Sequence, residues 1–159
     1  MITAFINLKG GSTKSSSAVH LCRYLLAKNQ TVALVDADSQ ATSSTWINNL
    51  ENGIPRPKIY RLTEPDPLLD EIPEIAKSAD HVVVDGAGGL AEVQRTILLL
   101  ADRVFIPIQP SAPDISASHQ AIKAVSRARA IRNGQPSAYT FLSRVVPKTL
   151  LLAEAREVL

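Results

Sequence analysis

The chain has a single cysteine, Cys22, among 159 residues. That excludes an internal disulfide framework and any cluster held by several thiolates. Cys22 falls among apolar residues on a stretch with helical spacing, where a packed thiol is expected. No apolar run approaches the roughly 18 residues of a membrane-spanning helix. The N-terminus lacks the basic-then-apolar layout of a secretory leader and begins directly with a strand-like run, so a cytoplasmic location is expected. Neither sign of charge dominates: 17 Lys and Arg against 15 Asp and Glu leave a net +2, too little to argue for nucleic acid by itself. His20 and His81 have no carboxylate or cysteine companions at metal-ligand spacing, so neither is assigned to a metal. No internal repeat and no low-complexity segment is present. What remains is 45% apolar and 20% charged, the composition of one globular domain over residues 1–159, large enough for a proper core.

Five short apolar runs read as strands: Ile2–Asn7, Thr31–Asp36, His81–Asp85, Arg103–Ile108 and Ala138–Ser143. They are mostly continuous rather than alternating, the habit of strands buried on both faces of a parallel sheet. A weaker sixth, Lys58–Leu62, follows Pro55 and Pro57 and belongs near an edge. Helical spacing marks Ser16–Lys28, with Asn29 as a left-handed stop, then Thr42–Leu50, Pro67–Ser78, Leu90–Ala101, Ser116–Asn133 and Leu150–Leu159. Strands alternating with helices predict an α/β fold, a doubly wound, mostly parallel sheet with helices on both faces. The chain stops inside its last helix, so it reads as the first two-thirds of something larger, lacking C-terminal strands and helices.

The chemistry begins at Asn7-Leu8-Lys9-Gly10-Gly11-Ser12-Thr13-Lys14-Ser15-Ser16. A strand, a glycine-bearing turn and a helix start form a phosphate-binding loop, because small residues let backbone N–H groups approach an anion. Gly10, Gly11 and Ser12 supply the room. Lys14 is placed to reach β- and γ-phosphates as a point charge, and Ser15 to offer its hydroxyl to Mg²⁺. The common pattern GxxxxGK[ST] is not met, since Leu8 and Thr13 stand at its glycine positions. A β-branched residue at a site that often needs positive φ is costly. Lys9 is an additional lysine in the same loop.

Two further segments end strands. Asp36 and Asp38 alternate at the carboxyl end of the second strand, facing the ligand crevice of an open α/β sheet. Carboxylates there hold a Mg²⁺-bound water or orient the water that attacks phosphorus. A helix cap plus a turn residue is the competing reading of that pair. Val82-Val83-Val84-Asp85 ends the third strand and runs into Gly86-Ala87-Gly88-Gly89, a Walker-B-like strand end whose glycines can sense a γ-phosphate.

Together the segments resemble the ParA/MinD family of deviant Walker A ATPases, closest to the short plasmid-partition ParA proteins. The family loop KGGxxK[ST] is matched by Lys9, Gly10, Gly11, Lys14 and Ser15, its DxDxQ motif by Asp36, Asp38 and Gln40, and its third motif by Asp85 and the glycines after it. Ile106 to Ser111, on through Asp114, resembles the family's fifth-strand loop. The resemblance runs from Ile2 to about Val145. It implies a P-loop NTPase domain that binds ATP or ADP with Mg²⁺ and hydrolyses ATP in a face-to-face homodimer. Lys9 would reach the phosphates of the other subunit. Lys14 and Asp38 complete the implied catalytic set, with Asp38 orienting the water. Residues Lys9 to Ser16 would hold nucleotide, and Arg144 lies where the family contacts the base. Ser15, Asp36 and Asp85 would hold the Mg²⁺ shell.

The implied function is segregation or positioning of plasmid or chromosomal DNA, on the nucleoid, with a ParB-like or small centromere-binding protein that stimulates hydrolysis. The alternatives are a positioner of a protein cargo, a biosynthetic enzyme on the same fold, and a nucleotide-binding remnant with little hydrolysis. The first needs only a different partner, the second a small-molecule pocket that no segment identifies, and the third is motivated by Thr13 and the early stop. His119, Lys123 and Arg127 fall at i, i+4 and i+8, with Arg129 and Arg132 nearby. They form either a DNA-phosphate contact or a solvated helix face. Trp46 is expected in packing rather than at a partner.

Overall fold

A computed structural model describes residues 1–89 and 91–158. Leu90 and Leu159, the expected first residue of the fourth helix and last of the sixth, lie outside the described residues. The elements run β1 (Ile2–Phe5), α1 (Lys14–Leu26), β2 (Val32–Asp36), α2 (Thr42–Asn48), β3 (Lys58–Arg61), α3 (Pro65–Ser78), β4 (His81–Asp85), α4 (Ala91–Leu100), β5 (Arg103–Ile108), α5 (Ala112–Ile131), β6 (Ser137–Leu142) and α6 (Leu150–Val158).

The six strands form one sheet in the order β3-β2-β4-β1-β5-β6, and every neighbouring pair is parallel. Parallel neighbours require a crossover, and each crossover here carries a helix. Alternation along the strands divides the core. Ala4, Ile6, Val82, Val84, Val104, Ile106 and Ile108 pack with Leu68, Ile72, Ile97, Leu98, Ala121 and Val125 of α3, α4 and α5. Phe5, Leu34 and Val83 face the other way, onto Ala18, Val19 and Cys22 of α1 and Ile47 of α2. Cys22 is fully buried there, as expected, and burial pushes its thiol up to about 12. Lys58–Arg61 lies at the edge, paired to β2.

Several helix starts differ from the sequence reading, for local reasons. α1 begins at Lys14 rather than Ser16 because Thr13 ends the turn in the left-handed region, φ 70°. α5 begins at Ala112 rather than Ser116. Ser111 caps it by accepting the Asp114 N–H, and Pro113 fills the first turn, where it costs no hydrogen bond. α3 likewise starts at Pro65, with Glu64 as its cap residue. Asn29 is left-handed, φ 58°, as expected of a helix stop.

All parallel strands end on one edge of the sheet, so the turns after β1, β2, β4 and β5 meet there. Gly86 makes the β4 turn possible. A Cβ on it would stand 2.6 Å from the Phe5 carbonyl oxygen, the same oxygen that accepts the Gly86 N–H at 2.9 Å.

Candidate functional site

The turn between β1 and α1 is held from below and from the side. Buried Asn7 donates from Nδ2 to the Pro107 carbonyl at 2.8 Å, and its Oδ1 accepts the Lys9 N–H at 3.1 Å. Gln109, just past β5, donates to the Gly11 carbonyl at 2.6 Å. Gly11 has φ +74°, a conformation that suits glycine, and nothing lies within 4 Å of a Cβ built on Gly10 or Gly11. The loop is therefore open above its glycines and braced beneath them. Ser12 is buried, and Ser15 and Ser16 stand half-buried in the first turn of α1, where backbone N–H groups lack helical partners.

The two lysines have different places. Lys14 is 6% exposed, and its ammonium donates to the Lys9 carbonyl at 3.2 Å. Burial lowers its pKa below the ordinary lysine value, countered by the charges of Asp85 and then Asp38. The Lys9 ammonium instead donates to Asp114 Oδ2 at 2.5 Å. The structure places Lys14 near Asp85 and Asp38 and pairs Lys9 with Asp114.

Asp85 is fully buried, and neither of its oxygens has a hydrogen-bond partner. Burial is the main cause that pushes its carboxyl up to about 6, and the charge of Asp36 adds to it. The Ser15 and Ser43 hydroxyls and Lys14 act in the opposite sense, but neither hydroxyl lies in hydrogen-bonding geometry with Asp85. Asp36 has both oxygens in use: Oδ2 accepts the Ser44 N–H at 2.8 Å and Oδ1 the Asp38 N–H at 3.2 Å. It serves the first turn of α2, the capping role that the sequence left open. Asp38 accepts the Gly88 N–H at 3.3 Å through Oδ2. A Cβ on Gly88 would lie 3.8 Å from the Lys14 ammonium nitrogen. Asp38, Gly88 and Lys14 therefore meet over the loop.

Among the described residues no group of three or more His, Cys, Asp or Glu is placed to hold a metal ion. A hard cation here would need phosphate oxygens and water to fill its shell, which is the habit of Mg²⁺. The two orphaned oxygens of Asp85 beside the Ser15 hydroxyl fit that requirement. Arg144 is exposed and left-handed, φ 52°, just after β6. It sits two strands from β1 and, among the described residues, makes no hydrogen bond to the loop.

The basic stripe also separates. Arg132 donates to the Leu98 and Ala101 carbonyls at 2.8 and 2.6 Å and so caps α4, while Arg129 donates to the Gly134 carbonyl. Lys123 and Arg127 join Arg95 along a groove of about 570 Å³ between α4 and α5, floored by Leu8, Leu98 and Leu99. Trp46 is 40% exposed and packs edge-on against His20.

Residues 3–156 match the CobQ/CobB/MinD/ParA nucleotide binding domain. The chain belongs to this family. Within it, the chain is 31% identical over 119 residues to protein virC1 of Rhizobium radiobacter, covering 72% of this chain and 51% of that one. It is 30% identical over 151 residues to the maintenance of carboxysome distribution protein A of Gloeobacter kilaueensis, covering 94% and 65%. The chain thus spans half to two-thirds of the length of these relatives. Apo McdA from Cyanothece superposes with a TM-score of 0.79 at 13% identity, over 99% of this chain and 79% of that one. MinD of Pyrococcus horikoshii, solved with Mg-ADP, gives 0.77 at 16% identity, over 99% and 76%. These likenesses bear out the parallel α/β nucleotide-binding fold of the ParA/MinD family. No helix among the described residues is long and apolar enough to cross a membrane.

Asn7, Gln94, Gln109 and Asp114 were not legible as a supporting set. Gln94 is 2% exposed and donates to the Ala87 carbonyl at 2.8 Å, pinning the turn after β4. Gln109 and Asp114 act on residues 98 and 105 positions away, and no local pattern announces such pairs.

Proposed function

We propose that this chain is a Mg²⁺-dependent ATPase that dimerises on ATP and positions DNA with a stimulating partner protein. The observation that carries the reading is the division of labour between the lysines. Lys14 occupies the phosphate loop of its own chain, while Lys9, 41% exposed, points elsewhere. A second cation that its own loop does not use is available to a phosphate held by another copy. A cation brought to the developing phosphoryl charge stabilises that charge most where water is excluded, so turnover is tied to dimerisation.

The other roles follow from position. Backbone N–H groups of Gly10 to Ser16 and the Lys14 ammonium bind the triphosphate. Asp38 orients the attacking water, and its bond to the Gly88 N–H links that water to the turn after β4. When bound, Mg²⁺ neutralises charge on the phosphate oxygens. Asp85 and Ser15 would hold it, and Asp36 retains free lone pairs with which to accept a water of its shell. Arg144 is the candidate for base contact. Exposed His119, Lys123 and Arg127 are the candidates for DNA phosphates.

A second reading, a protein assembly as cargo, is favoured by one finding: the relative that aligns over 94% of this chain is a carboxysome distribution protein. Nucleotide chemistry is the same in both, and DNA-bead capture against capture by a purified cargo adaptor separates them.

Analytical ultracentrifugation with Mg²⁺ and a non-hydrolysable ATP analogue tests the core claim. The wild type is expected to dimerise. Lys9→Ala is expected to bind nucleotide but stay monomeric, and Lys14→Ala to lose nucleotide binding. A wild type that stays monomeric, or a Lys9→Ala variant that matches it in dimerisation and turnover, overturns the proposal.

A further inference from the structure

The Lys9 ammonium carries three N–H donors at the end of a flexible stem. Within its own chain it donates to Asp114 Oδ2 at 2.5 Å. The two ends of this contact are built differently. Asp114 is 1% exposed while Lys9 is 41% exposed. The carboxylate is fixed: Ser111 Oγ donates to the same Oδ2 at 2.5 Å, and the Asp114 N–H returns to Ser111 Oγ at 3.3 Å. Its other oxygen, Oδ1, is buried with no hydrogen-bond partner. Asp114 also stands in the first turn of α5, where the free N–H groups and the helix dipole favour a negative charge. The carboxylate is therefore held in place independently of the lysine. The contact opens by movement of the lysine.

We propose that Asp114 is a positioning residue for Lys9, a latch that holds the ammonium at home until nucleotide is bound by two facing copies. The inference rests on the ATP-dependent dimer proposed above and names the residue that sets its threshold. A phosphate of the facing copy must compete with Asp114 for the same ammonium, so only a triphosphate site of high charge draws Lys9 across. Without nucleotide the latched form predominates and the interface lacks two of its cations. Each dimer opens two latches, so whatever factor one latch contributes enters the dimerisation constant twice.

Asp114→Asn tests this, because it keeps the shape and the Ser111 contact but removes the charge that retains Lys9. With Mg²⁺ and a non-hydrolysable ATP analogue, the concentration for half-dimerisation is expected to fall about tenfold, about threefold per latch for a half-exposed ion pair. In a Lys9→Ala background the same substitution is expected to change nothing. A wild type that dimerises while Asp114→Asn dimerises equally or less well overturns the latch alone. A wild type that never dimerises overturns the functional reading and the latch with it. A second readout uses the unaltered protein: the Lys9 ammonium signal in ¹H–¹⁵N NMR is expected to shift between the nucleotide-free monomer and the analogue-bound dimer. An unchanged signal overturns the latch even if the variant fails to fold.

Discussion

Asp85 shows how a single residue can be costly to the fold and useful to the site. Its carboxylate is buried without a hydrogen-bond partner and is pushed up to about 6 from an ordinary 3.8. Between those values the folded chain holds a proton that the unfolded chain has released. Stability therefore falls as pH rises from about 4 to about 6, and levels off above. Asp85→Asn is expected to remove that fall and to stabilise the nucleotide-free protein at pH 7 by about 2 kcal/mol. This is less than the roughly 3 that the shift alone implies, because buried Lys14 loses a countercharge. Urea denaturation at several pH values checks both. The same variant is expected to lose stabilisation by Mg²⁺ and nucleotide, a trade of function for stability. At this scale the sequence was informative about identities. Lys14, Asp38 and Asp85 could be named from motif spacing, whereas the partnership of Lys9 with Asp114, 105 residues on, could not.

The start of α1 shows where reading of elements succeeds and fails. The apolar spacing located the helix, but its first residue depends on backbone geometry at Thr13. Thr13 is left-handed at φ 70° and makes no capping bond with its side chain. Its hydroxyl donates to the Ser12 carbonyl instead. Thr13→Gly therefore loses no cap and relieves a conformation that costs an L-residue about 1–2 kcal/mol. The greater freedom of glycine in the unfolded chain returns part of that gain. A net rise of about 0.5 kcal/mol is expected, measured as a higher urea midpoint with unchanged slope. A fall would mean that the Thr13 hydroxyl holds the loop in shape. The caps of α5 were equally readable in retrospect, since Ser111 and Pro113 are ordinary helix-start residues. Apolar periodicity missed them because the first turn of a helix, reaching past the core, need not carry the apolar stripe.

Across the whole molecule, protection follows the strand order. β4 is paired on both sides, by β2 and β1, and β1 by β4 and β5. β3 and β6 each pair on one side only. Amide exchange is expected to be slowest at Ala4 and Val82–Val84, which should open only with global unfolding, and fastest among the strands at Lys58–Arg61. Equal protection of β3 and β4 would contradict the sheet order. The sequence by itself determined the alternation of strands and helices and the burial of the central strands, and it marked the candidate residues of the phosphate loop. Each of these follows from local chemistry: side-chain period, turn geometry, the affinity of small residues and lysine for an anion. Only the tertiary structure decided which strands are neighbours, and that Lys9 rests on Asp114 while the Lys14 ammonium bonds the Lys9 carbonyl. The contacts between segments span up to 105 residues of the chain, and they form because two apolar faces of one sheet must both be covered. No pattern in the intervening residues records which segments meet.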